Sequence, residues 1–116
     1  MILPNRPLQI NQPVTSEKVK KALDQAMTLR GKLSATQREI QQQERQLNII
    51  TADQDRLRKN LKEMPPEAAA YKRYLKKFDD QETEIERLQK LIKELQDGEH
   101  AQRKDYENFL ANLTVE

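Results

Sequence analysis

Leu61-Lys62-Glu63-Met64-Pro65-Pro66-Glu67-Ala68-Ala69-Ala70-Tyr71 is the stretch that decides the fold. Two adjacent prolines do not fit inside a helix. Each removes a backbone donor and clashes with the preceding turn, at a cost of about 3 kcal/mol. Three alanines, the strongest helix formers, follow at once. One helix must therefore stop before Pro65 and another must start after it. Pro66 suits the first helical position, where its missing N–H is no loss, and Glu67 puts an anion at the positive end of the helix dipole.

Working outward, both flanks carry an unbroken heptad repeat. Counted from Val19, positions a and d are Val19, Ala22, Ala26, Leu29, Leu33, Thr36, Ile40, Gln43, Leu47, Ile50, Gln54, Leu57, Leu61 and Met64. On the other side they are Tyr71, Tyr74, Phe78, Gln81, Ile85, Leu88, Ile92, Leu95, Glu99, Gln102, Tyr106, Phe109 and Leu113. Apolar residues fill most of both sets, which is the pattern of a coiled coil rather than of a globular amphipathic helix. Thr15 is placed to cap the first helix, with Val14 and Val19 at the positions of a hydrophobic staple.

A link this short makes the helices antiparallel neighbours. Folding there pairs residues whose numbers sum to about 131 or 132, as alternating a and d layers require. Ala26 then meets Tyr106 and Ala22 meets Phe109, while Leu61 meets Tyr71 and Leu57 meets Tyr74. Small residues face large ones, as an interdigitated core needs. All five aromatics occupy a or d, so the rings in Tyr71-Lys72-Arg73-Tyr74-Leu75-Lys76-Lys77-Phe78 read as seam residues rather than a base-stacking platform. The fold class is all-α: a long antiparallel two-helix coiled-coil hairpin with a short extended N-terminal arm. Residues 1–14 form the arm, or a linker from a preceding domain. Helix 1 covers 15–64, the turn 65–66 and helix 2 67–114.

Polar residues interrupt the stripe at Thr36, Gln43, Gln54, Gln81, Glu99 and Gln102. Gln54, the Tyr74 hydroxyl and Gln81 are expected to share one polar layer near the turn, since buried polar groups need partners. Gly31 and Gly98 fall at nearly one level of the hairpin, which marks that level for a kink or for an end of helix 2. Leu23, Leu75, Leu91 and Leu110 occupy flanking e or g positions and would widen the seam toward other helices.

Composition excludes several chemistries. The 116 residues carry 21 Lys+Arg and 19 Asp+Glu, for net +2, with no Cys, no Trp and only 2 Gly. No disulfide, Cys-ligated zinc or thiol nucleophile is available, and no phosphate-cradling glycine loop. No signal peptide or transmembrane segment is read, and the compartment stays open. The sole histidine, His100, falls on a solvent-facing position with no second ligand nearby. Carboxylates alternate with bases as helical pairs, such as Glu17–Lys21, Asp55–Lys59, Glu86–Lys90 and Glu99–Arg103. A two-helix rod offers no concave pocket. The expectation is no enzyme, no cofactor and no metal.

One charge feature stands out. Arg56, Arg58, Lys59, Lys62, Lys72, Arg73, Lys76 and Lys77 cluster around the turn, against only Glu63 and Glu67 between residues 56 and 77. These eight are the candidate interaction surface. A basic tip can attract nucleic acid, anionic lipid or an acidic protein. Partners are read as protein, through self-association or the rest of a larger parent chain; the alternative is an RNA-binding helical arm acting through the tip.

The residues of the tip also resemble a known family. Gln54-Asp55-Arg56-Leu57-Arg58-Lys59-Asn60-Leu61, Tyr71-Lys72-Arg73-Tyr74-Leu75, Gln81-Glu82 and Ile85-Glu86 resemble the C-terminal helical segment of bacterial mucoidy-inhibitor-like proteins, which carry a conserved domain of unknown function. The resemblance runs from about Val14 to Val115. It implies a bacterial source, a β-rich domain ahead of the helices with residues 1–13 as its trailing edge, and a structural or interaction role. It implies no reaction, cofactor or ligand.

Overall fold

The computed structural model describes the backbone of residues 13–115 and the side chains of 16–113. Two helices form an all-α hairpin: α1, Pro13–Glu63, with 51 residues, and α2, Ala69–Val115, with 47. The expected arm at 1–14 lies outside the described residues except for its last two positions, which are helical. Thr15 is thus a helical position of the first turn, and its side chain, the expected cap, lies outside the described ones. Proline tolerates the first helical position because it has no N–H to satisfy there. The staple partner Val14 lies outside the described side chains.

The turn is longer than two residues. Residues 64–68 are non-helical, and the Ala68 N–H donates to the Pro65 carbonyl at 3.0 Å. Pro66 is therefore the second residue of a β-turn, where its fixed φ fits equally well. A second such bond, from Tyr71 N–H to Ala68 O at 3.0 Å, leads into α2. The helix begins at Ala69, two residues after the expected start at Glu67.

Two compact units divide the hairpin. The turn unit is Thr36–Glu99; the open-end unit is the described part of Met1–Ala35 with His100–Glu116. In the turn unit Ile40, Leu57, Ile85, Leu88 and Ile92 are buried, with Leu57 and Leu88 at 0% exposure. Full burial of one such side chain is worth about 1.5–3 kcal/mol. Leu47, Ile50, Leu61, Tyr71, Tyr74, Phe78 and Leu95 are half-buried around them. Among the described side chains of the open-end unit only Leu33 is buried; Ala22, Ala26, Leu29, Tyr106, Phe109 and Leu113 are half-buried.

Among the described residues every buried one is at a seam position named from the heptads, and Val19 is the one exposed exception among those positions. α2 runs through Gly98 without ending there. Neither glycine is required by packing, since a Cβ at Gly31 or Gly98 would meet nothing within 4 Å.

Candidate interaction surface at the tip

All eight candidate cations are exposed, but the structure divides them in two. Four are engaged. Arg56 Nε lies 2.9 Å from Asp53, Arg58 Nη1 2.7 Å from Asp55, Lys76 Nζ 3.0 Å from Asp80 and Lys77 Nζ 3.7 Å from Asp53. The Arg58 guanidinium also lies over the Phe78 ring, 5.4 Å from its centroid, a distance at which the ring face attracts a cation. Lys59, Lys62, Lys72 and Arg73 have no ion-pair partner among the described residues.

The engaging acids are Asp53, Asp55 and Asp80, which lie just outside the 56–77 window. Over residues 53–80 the eight cations face six carboxylates, for net +2. The strongly basic tip read from the narrower window is therefore a partly neutralised one. Its acids carry a signal in the sequence: Asp53 and Asp55 each stand three residues before an arginine. Glu84 and Arg87 repeat that spacing at 2.6 Å. Glu17–Lys21, Asp55–Lys59 and Glu86–Lys90 are not closed in the structure; Asp55 takes Arg58 instead. The shorter spacing suits the forked guanidinium.

Heptad phase places the four free cations. Lys59 and Lys62 are at f and b of α1, while Lys72 and Arg73 are at b and c of α2. Lys62 and Lys72, both at b, border the flank shared by the two e positions, while Lys59 points outward and Arg73, at c, borders the other flank.

The best-defined feature of the tip is a pair of polar cross-links between helices. The Gln54 amide donates to Glu82 at 2.6 Å, and the Gln81 amide donates to Asp53 at 2.7 Å. Gln54 is buried at 5% exposure. The two glutamines therefore do not bond each other, and the expected layer of Gln54, Tyr74 and Gln81 is replaced by two amide–carboxylate pairs, one on each flank. A carboxylate is the stronger acceptor. Asp53 reaches both Lys77 and Gln81, so it stands level with residue 79, as the expected register requires. Hydrogen bonds from Arg56 and then Gln81 hold the Asp53 carboxyl below its ordinary value. Arg56 is raised in turn, first by Asp53, with a smaller contribution from the Tyr74 hydroxyl.

Two shallow grooves occur in the turn unit, where none was expected. Asn60, Glu63, Met64, Pro65 and Tyr74 line about 340 Å³; Gln37, Ile40, Gln41, Glu44, Gln96 and Glu99 line about 330 Å³. Neither joins a nucleophile to a base. Among the described residues no group of three or more His, Cys, Asp or Glu is placed to hold a metal, and no helix is long and apolar enough to cross a membrane. His100 is exposed. Comparison with protein-family models, with curated proteins and with solved structures yields no match to the chain.

Proposed function

We propose that the chain is a non-enzymatic structural and protein-interaction module, a coiled-coil hairpin spacer that associates with itself or with its parent protein. One observation carries this reading. Among the described residues six apolar side chains are buried, and six large apolar ones are exposed: Val19, Leu23, Met27, Ile49, Leu75 and Leu110. A seam one layer deep cannot cover them, and a core this small contributes only about 3–5 kcal/mol. Association supplies the missing burial. The tip's resemblance to the mucoidy-inhibitor-like family supports the same role.

The RNA alternative draws less support. Four of its eight cations are paired with neighbouring aspartates, which leaves a weaker basic surface than the charge count alone suggests. Sedimentation from nanomolar to micromolar concentration tests the proposal. The expected result is a reversible shift to larger species. A fully helical, stable monomer throughout, together with salt-dependent binding to structured RNA, would replace it with the alternative.

A further inference from the structure

Four of the six exposed apolar residues lie in the open-end unit. Val19 is 52%, Leu23 57%, Met27 71% and Leu110 36% exposed. The first three are spaced by four, so they form one ridge along α1. Leu110 is at e of α2, the position that shares a flank with Leu23 at e of α1. In the turn unit Ile49 and Leu75 sit on different helices and make no such ridge.

We infer that this ridge is a dimer contact, packed antiparallel against the same ridge of a second copy with the two-fold axis at Leu23. The inference rests on the interaction role proposed above and names its partner. A second copy is selected because the face complements itself. A two-fold contact requires that residue i meet j and j meet i. Val19 and Met27 stand four residues either side of Leu23. Turning one copy over lays Val19 on the partner's Met27, twice, and Leu23 on the partner's Leu23. Packing of i±4 ridges is the commonest helix contact, and the unbranched Met27 side chain adapts to the shape of Val19.

The charges choose the direction. Lys20 and Asp24 lie along the same edge of the ridge, both exposed and without an ion-pair partner among the described residues. In an antiparallel pair like edges meet, so Lys20 comes beside the partner's Asp24, and Asp24 beside the partner's Lys20. A parallel two-fold pair would set each edge against the partner's opposite edge and would form neither of these charge pairs.

Sedimentation equilibrium of the wild type and variants tests the inference. The wild type is expected to dimerise and Leu23→Glu to be monomeric, with unchanged helicity at this exposed site. Lys20→Asp and Asp24→Lys each turn both cross-pairs repulsive and should raise the dimer Kd about tenfold or more. Mixing the two variants restores both pairs and should give a heterodimer. The chain has no Cys, so Leu23→Cys should cross-link to itself under mild oxidation, whereas Ile49→Cys should not. A dimer lost in Leu75→Glu but kept in Leu23→Glu would overturn the ridge and leave the interaction role standing. A monomeric wild type would overturn the ridge and self-association together. Binding of that monomer to phosphatidylserine vesicles would assign the ridge to a lipid surface.

Discussion

Truncating Leu57 to Ala gives the sharpest test of the core. Leu57 has 0% exposure and lies one turn from the buried Gln54. The substitution removes three carbon groups, each worth about 0.8 kcal/mol on full burial, for about 2.4 kcal/mol. The cavity left behind adds to this. A seam one layer deep can close partly over the hole, so the total falls near the lower end for Leu→Ala, about 3 kcal/mol. Against the stability of so small a core, that is most of what holds the hairpin. Urea unfolding followed by far-UV circular dichroism measures it, at one fixed protein concentration because association adds to apparent stability. Ile49→Ala, at a site 63% exposed, is the control and should cost less than about 0.5 kcal/mol. Equal losses for the two variants would refute the assignment of Leu57 to the seam and Ile49 to the surface.

Gly31→Ala and Gly98→Ala should each stabilise by about 0.8–1 kcal/mol in the same assay, since both sites are helical and a Cβ there meets nothing; a loss at either would show that glycine is needed. Gln102 buries its side-chain oxygen with no hydrogen-bond partner among the described residues, so Gln102→Leu should raise stability by about 1–2 kcal/mol, and a loss in unfolding experiments would show that the oxygen is satisfied. Asp53 has its carboxyl held below the ordinary 3.8 by Arg56 and then Gln81. Its contribution is therefore complete above that value and is lost as pH falls through the lower folded value. An NMR titration should find Asp53 below 3.8 and Arg56→Ala should move it upward; an unmoved value would mean that the Arg56 hydrogen bond is not its main cause.

Much of the hairpin could be read before any coordinates. Pro65-Pro66 divides two heptad repeats, and the seam read from them holds every buried residue. Register near the tip was legible because the short link fixes which residues stand level across the turn, and Asp53 reaching Lys77 and Gln81 agrees with it. Helix ends were less so. Pro13 and Pro66 each satisfy more than one local geometry, as the first residue of a helix or the second of a turn, and one sequence does not choose between them.

The tip shows the other limit. Counting charge in a window found Arg56, Arg58, Lys76 and Lys77 but missed that Asp53, Asp55 and Asp80 engage them. A side chain of that length selects its partner by rotamer and by what crosses from the opposite helix, and neither is a property of spacing alone. Gln54 and Gln81 were correctly placed near one another, yet each turned to a carboxylate on the flank, because an ionised acceptor outcompetes a neutral amide.

Periodicity and proline alone determined that this chain forms two helices, where they turn and which stripe of each faces the other. A repeat of seven marks one face of a helix whatever surrounds it. Tertiary structure alone decided which of those seam positions are truly dry and which apolar residues are left over. Val19 reads as seam and is exposed; Leu57 and Leu88 read no differently from Leu29 and are the two fully closed off. Burial depends on what the opposite helix places at the same level and on how deep the layer is, and that is settled only when both strands of the hairpin are in place.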